Sequence, residues 1–290
     1  MDLNIYSYFL FYFIILFSVV GYGLFFSYVT NVSSISKNFG YAGLLGLFFL
    51  TIYSYISNFF FAHGLIHNSI LIWLGIFFYL YFVRKNTYKK KEILFIILIF
   101  LILFISILIF KTHDDFSYYH FAYSYYLTQS SSYIGIGPFN HGFKTQSSIF
   151  YLNSLFYLPI VKYYMFHMPA VLIIGFSNII LLNKIFKNIK DKSINFITFF
   201  SLLSFLFINI FFYRVGEHGT DRSAQILVFI LLIEILLLIN FSTDKYRQIS
   251  KIYVLIGLII SFKAFYILYL LFFIPVIFFY YKKKKFIQNI

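Results

Sequence analysis

The chain has 290 residues, of which 61% are hydrophobic, 25% aromatic and only 11% charged; its net charge is +14 and it contains no cysteine. That balance lies far from a water-soluble domain, and the missing cysteine excludes disulfides, thiolate metal sites and thiol nucleophiles. The surplus of positive charge is confined to short loops between apolar runs, which argues against a nucleic-acid surface and for a membrane boundary.

In chain order, the first apolar run covers residues 5–28 and follows MDLN, which has no basic leader region, so it reads as a retained helix rather than a signal peptide. Runs at 41–60, 69–83 and 93–110 come next, then 149–183 with an interruption, 193–213, 224–241 and 252–281. A bilayer core of ~30 Å takes ~20 apolar residues in a helix, and these runs have that size without the alternation of a transmembrane barrel. The expected fold class is all-α, a polytopic transmembrane helical bundle with about eight principal spans. Residues 1–92 form an N-terminal three-helix region and 93–290 the remaining core. Pro159, Lys162 and the HMP at 167–169 divide the run 149–183 into a helix at or half inside the outer interface and one full crossing. The run 252–281 would be ~45 Å long if straight. It contains Lys263 and Pro275, and so is expected to be a broken helix or a hairpin of two short helices.

Sixteen of the 23 basic residues fall in four clusters: Arg84, Lys85 and Lys89 to Lys91; Lys184, Lys187, Lys190 and Lys192; Lys245, Arg247 and Lys251; and Lys282 to Lys285. Basic excess in short loops marks the cytoplasmic side and meets anionic headgroups there. With these clusters inside, the inner loops hold seventeen positive and three negative residues, whereas the outer loops and N-terminus hold four and five. The expected location is therefore an integral membrane protein, in a bacterial inner membrane, with the segment 111–148 outside.

This outer segment is the longest polar stretch and begins KTHDDFSYYHFAYSYY. Asp115 or Ser117 is placed to cap a helix running to Gln129. On that helix Tyr118, Ala122 and Tyr125 share one stripe and Tyr119, Tyr123 and Tyr126 the next. So many phenols suit an extracytoplasmic juxtamembrane helix with wet hydroxyls and buried rings. The adjacent Asp114 and Asp115 admit two readings. One is a helix cap plus a favourable dipole contact; the other is a general base, its pKa raised by its neighbour and by a dry surface, that deprotonates a hydroxyl.

The acidic pair after a transmembrane helix, followed by Tyr118 and Ala122, resembles the first external loop of the GT-C membrane glycosyltransferases, especially the protein mannosyltransferase and lipid A aminoarabinose transferase type. Lys144 and SSIFYLNSLFYLP, then RVGEHGTDRSAQILVFILL, then GLIISFKAFYILYLLFFIP are similar to later parts of that family in the same order, over about residues 93–281. The resemblance implies a polyprenyl-phosphate sugar donor, a hydroxyl acceptor and transfer on the extracytoplasmic face. Asp114 would be the base, Asp115 its neighbour and Asp221 a second site acid. Thr145 and Gln146 stand where the family has Pro-Pro, and Phe143 where an acid often precedes the Lys. A divalent metal of that subtype is accordingly not implied.

Donor phosphate needs cations, and the outward candidates are Lys144, Arg214, Arg222 and Lys263. Arg214 and Arg222 have Glu217 and Asp221 as ordinary partners within their own loop. Lys263 and Glu234 are the most embedded opposite charges and are expected to pair, because an isolated charge inside a span is costly. His113, His120, His141 and His218 fall outside and His63 and His67 stand four apart. Their spacing matches no metal motif, so hydrogen-bonded interface histidines are the expectation and a divalent metal the alternative. The rival to an enzyme is a non-enzymatic transporter or assembly subunit, or an inactive, truncated relative. A transporter would show paired broken helices in repeated halves, and no internal repeat is visible.

Overall fold

The computed structural model describes residues 4–84, 88, 90–108, 114–131, 135–145, 147–212, 220–240 and 245–278. Among these, the only pairing of extended backbone is one isolated bridge, Leu158 to Lys162. The rest is helix and turn. Eleven α-helices follow one another: α1 Ile5–Val29, α2 Ser33–Ser36, α3 Phe39–Phe60, α4 Leu65–Val83, α5 Lys90–Leu108, α6 Phe121–Gln129, α7 Ser148–Leu155, α8 Met168–Lys190, α9 Phe196–Phe211, α10 Thr220–Asn240 and α11 Lys245–Phe262. Among the described residues six segments are long and apolar enough to cross a membrane, the character of an integral membrane protein: α1, α3, α4, Lys91–Leu108 in α5, Tyr163–Lys190 ending in α8, and Thr220–Ile239 in α10.

Local chemistry sets the helix ends. Asn38 accepts from the amides of Gly40 and Tyr41 to start α3. Pro169 occupies the first turn of α8, where its missing N–H costs nothing. Asn195 and Thr198 form a reciprocal capping box on α9. Lys187 and Lys190 lie in the last turn of α8, on the favourable side of the helix dipole.

The interior is organised around α8, whose residues from Met168 to Leu181 are all buried. Helices α3, α5, α9 and α10 pack on it. A helix that is apolar on every side belongs in such a position. At the interface with α9, Asn178 and Asn209 exchange side-chain amide hydrogen bonds of 2.9 Å in both directions. Polar pairs of this kind hold apolar helices together by hydrogen bonding across the contact. By contrast α4 exposes Ile66, Ile70, Trp73, Phe77 and Leu80, the surface of a helix that faces lipid.

Helix α1 is clamped between α3 and α4 by backbone contact at small residues. A Cβ on Gly23 would sit 1.7 Å from the Ala42 carbonyl oxygen, one on Gly46 1.9 Å from that of Val19, and one on Gly21 1.9 Å from that of Gly75. The obstacle in each case is backbone, which cannot swing away. Gly23→Val and Gly46→Val are therefore expected to lower the thermal midpoint of the purified protein sharply, beyond the ~1–3 kcal/mol of ordinary overpacking. Gly64→Ala, which meets open space, is the matched control and should leave the midpoint near wild type.

Two stretches fold differently from a plain crossing. Helix α7, expected at or half inside the outer interface, has all eight of its residues buried within the protein and packs between α3 and α6. The outer segment covers it, so the apolar and small polar residues of SIFYLNSL face protein rather than headgroups. Helix α11 stops at Phe262; Lys263 is extended, and a tight 3₁₀ segment, Ala264–Phe272, follows. The Phe273 ring then returns to 5.3 Å from Tyr253, which makes the stretch a hairpin folded back on α11. The reversal occurs at Lys263, twelve residues before Pro275.

Candidate functional site

From Asp114 onward the chain is helical, passes through one π-helical turn, Phe116–His120, and continues as α6. Asp115 has helical dihedrals (φ −64°, ψ −21°) and makes no capping hydrogen bond with its side chain. The capping role expected of Asp115 or Ser117 is thus not taken up: a capping side chain needs an extended backbone, and both residues already lie within the helix. Asp114 is exposed and its carbonyl accepts from the Ser117 hydroxyl at 3.3 Å. π-Helical turns in helices are frequent at functional sites.

The π turn presents Tyr119 to the turn His141–Lys144. The ring lies so close to Gly142 that a Cβ there would be 2.3 Å from Cγ of Tyr119, so only glycine fits. Asn140 fastens this turn by donating to the Tyr118 carbonyl at 2.9 Å and accepting from the Gly142 amide at 2.8 Å. The Ser148 hydroxyl donates to the Ser261 carbonyl, joining the start of α7 to the end of α11.

At the same end, Lys263 Nζ meets Asp221 Oδ2 of the first turn of α10 at 2.6 Å, with both side chains over a third exposed. One turn along α10, Gln225 donates to the Tyr266 hydroxyl at 3.3 Å. The phenol of Tyr119 feels the charges of Asp221 and Lys263. Burial and then the Asp115 carboxylate push its pKa above the usual tyrosine value; a hydrogen bond with Thr145 and the Lys263 ammonium pull it down, and Asp221 pushes it up again. Asp115, Tyr119, Asp221 and Lys263 therefore share one electrostatic neighbourhood, although 148 residues separate the first from the last. Lys144 is exposed beside Thr145, and Arg222 follows Asp221. Arg214, Glu217, His113 and His218 lie outside the described residues.

The expected pairing of Glu234 with Lys263 is corrected. Glu234 is fully buried; Lys184 Nζ lies 2.6 Å from Oε1 and Lys251 Nζ 3.1 Å from Oε2. Tyr41 donates to Oε1, and Gln248 donates to Oε2 and, at 2.9 Å, to the Glu234 carbonyl oxygen. The Lys251 ammonium also sits 4.4 Å above the Tyr41 ring. Thirteen helical residues place Glu234 ~20 Å along α10 from Asp221, near the opposite end of the bundle, beyond the reach of Lys263. Lys184 and Lys251, grouped by sequence with headgroup-facing lysines, are instead drawn inward by this carboxylate.

His63 and His67 serve packing. His63 is fully buried in the turn between α3 and α4, 2.8 Å from the Ser57 hydroxyl and 2.7 Å from that of Ser154, while its amide donates to the Leu127 carbonyl at 2.9 Å. Asn68 donates to the carbonyls of His63, Ser154 and Tyr157, and His67 bridges Tyr53 and Asn68. This network ties α3 and α4 to α6 and α7, and so underlies the outer segment. Among the described residues no three His, Cys, Asp or Glu side chains converge as metal ligands.

Burial, followed by repulsion from His67, holds the His63 pKa down at about 3. An unfolded His63 would titrate near 6.5, so between those values the unfolded chain binds the extra proton. Stability therefore falls as the pH drops from 7 toward 3. Thermal midpoints measured across that range should decline less steeply for His63→Gln than for wild type.

No curated protein and no solved structure matches the chain. One family model, described as Domain of unknown function (DUF8201), matches residues 6–290, nearly the whole length, and the chain belongs to that family.

Proposed function

We propose that the protein is a membrane glycosyltransferase-like enzyme of a bacterial cytoplasmic membrane, moving a sugar from a polyprenyl-phosphate donor to a hydroxyl acceptor on the extracytoplasmic face. The bundle is taken to have eight spans, α1, α3, α4, α5, α8, α9, α10 and α11, with the hairpin arm after Lys263 folded back into the membrane. The observation that carries the reading is the gathering of Asp115, Asp221 and Lys263 around Tyr119, at the end of the bundle away from Lys184 and Lys251.

In the proposed reaction an aspartate, Asp114 or Asp115, accepts the acceptor's hydroxyl proton as its oxygen bonds to the anomeric carbon. The bond from that carbon to the phosphate oxygen breaks, and the electron pair leaves on the phosphate. Lys263, with Lys144 next to Thr145 and Arg222 next to Asp221 in sequence, would neutralise that charge. One observation favours a non-enzymatic role: Lys263 is already matched by Asp221.

The absence of cysteine makes the topology directly testable. Single cysteines at Ser117 and Lys187 should label with a membrane-impermeant maleimide from opposite faces, Ser117 from outside. Purified protein given a radiolabelled polyprenyl-phosphate sugar and a hydroxyl acceptor should yield labelled acceptor. Labelling of Ser117→Cys only from the cytosolic face would remove the reading, and a panel of donors giving no transfer would favour the non-enzymatic role.

A further inference from the structure

Helices α3 and α4 both pack on α1, and residues of all three line a cavity of about 300 Å³. Its walls are pairs of stacked rings: Tyr22 with Phe49 at 5.4 Å, Phe25 with Phe78 at 4.3 Å, and Tyr53 with His67 at 5.8 Å. Ile70 and Leu74, both exposed, form its edge on α4. No charged side chain lines it. The polar side chains on the wall have hydrogen-bond directions that their neighbours fix. The Tyr22 hydroxyl donates to the Leu71 carbonyl at 2.8 Å. Asn68 directs its NH₂ at the carbonyls of His63, Ser154 and Tyr157, so its Oδ1 is the acceptor for His67 Nδ1 at 2.8 Å. A neutral His67 protonated on Nδ1 has its lone pair on Nε2, and the Tyr53 hydroxyl, 2.7 Å away, donates to it. Ser57, one turn along α3, has its proton engaged elsewhere. Ser154 donates to the Tyr151 carbonyl at 2.7 Å and so accepts from His63 Nδ1, which leaves His63 Nε2 to accept from Ser57 at 2.8 Å. Both phenols thus direct their protons into the protein, and both nitrogens of His67 are engaged. The cavity presents acceptor lone pairs and no side-chain donor.

We propose that this cavity binds a membrane-dissolved alcohol with a single apolar chain, which enters past Ile70 and Leu74. Its hydroxyl donates to the Tyr53 oxygen, and its chain lies between the ring pairs. The volume is at the lower end of small-ligand sites, ~300 Å³, which suits one chain and not the two of a glycerolipid. An aldehyde or ether head brings only acceptors, and would leave the Tyr53 lone pair and its own oxygen without a proton between them. A carboxylate or ammonium would place a charge against an apolar wall that holds no counter-charge.

No residue of this cavity belongs to the proposed transfer site, so its test is independent of that reaction. Radiolabelled hexadecanol would be bound to the full chain in detergent and displaced by unlabelled hexadecanol, its methyl ether, hexadecanal or a dialkylglycerol. Hexadecanol should bind saturably and displace the label at a concentration about fivefold below that of the ether or the aldehyde, the size of one neutral hydrogen bond. The dialkylglycerol, which keeps a hydroxyl but carries two chains, should displace it least. Tyr53→Phe keeps the ring and removes the acceptor, so alcohol and ether should become equal. Leu74→Trp fills the mouth from an exposed position and should weaken both tenfold or more. The comparison of ligands on the wild-type protein needs no variant to fold. Retention of hexadecanol that does not saturate, equal displacement by alcohol and ether, a preference for the alcohol that survives Tyr53→Phe, wild-type binding by Leu74→Trp, or a dialkylglycerol as potent as hexadecanol would each overturn the proposal.

Discussion

Glu234→Gln is expected to cost about 3 to 5 kcal/mol of folding stability, the range for breaking a buried ion pair from one side. The native centre holds two ammonium groups and one carboxylate, with Tyr41 and Gln248 supplying neutral donors. Glutamine fills the same space but leaves two cations, Lys251 buried and Lys184 partly so, beside one another in a medium that screens them poorly. The loss follows from the stranded lysines, so removing them with the carboxylate should restore much of it. The triple variant Glu234→Met, Lys184→Met, Lys251→Met is expected to be nearer wild type than Glu234→Gln alone. Lys263→Met provides the contrast: its pair with Asp221 is over a third exposed on both sides, and such pairs contribute ~0 to 1 kcal/mol. Denaturant titration of the four proteins in one detergent decides the matter. A midpoint for Glu234→Gln within error of wild type would show that the cluster does not hold the helices together.

The helices were legible because a span must be long, continuous and apolar, and these properties are local. The run at 5–28 became Ile5–Val29 and that at 224–241 became Thr220–Asn240. Residue-to-residue pairing was less accessible. In a soluble helix the polar stripe reveals which side faces inward, but the lipid-facing side of a span is as apolar as its buried side. Glu234 was visible as an anomaly, while its partners lie 14 to 193 residues away and carry no local signal. Lys184 and Lys251 share α8 and α11 with Lys187, Lys190 and Arg247, so position along the helix does not set them apart from headgroup lysines. Within the candidate site, Asp114, Asp115, Asp221 and Lys263 were singled out by sequence. Tyr119 was seen only as one phenol among many; its position four residues after Asp115 and the glycine it needs at Gly142 gain meaning once the turn His141–Lys144 folds over it. Burial of α7 was hidden for a related reason, since the residues that cover it come from a segment that sequence treats as a polar loop.

The sharpest separation of roles around Asp115 and Lys263 comes from comparing carboxylates and cation in the transfer assay. Asp115→Asn is expected to lower kcat by roughly 10²- to 10⁴-fold, the contribution of a positioned general base, with the donor KM little changed. Asn keeps the shape and the hydrogen-bonding oxygen, so the fold should persist and the loss should report proton transfer. Lys263→Met should instead raise the donor KM by roughly 10- to 100-fold, since a hydrogen bond to a charged group is worth ~1.5 to 3 kcal/mol. Asp221→Asn tells apart two jobs for the same residue. If Asp221 only holds Lys263 in place, removing its charge frees the ammonium for phosphate and the donor KM falls or stays level. If it is a second acid of the site, kcat falls with it. Asp114→Asn completes the set: a loss there with Asp115→Asn near wild type would assign the base to Asp114, the more exposed of the two carboxylates. Activity within twofold of wild type for both asparagine variants would remove a carboxylate base from the reaction altogether. The pair Asp221–Lys263 would then be left as a clasp between α10 and the end of α11, with the acidic loop serving only to order the tyrosines beneath it.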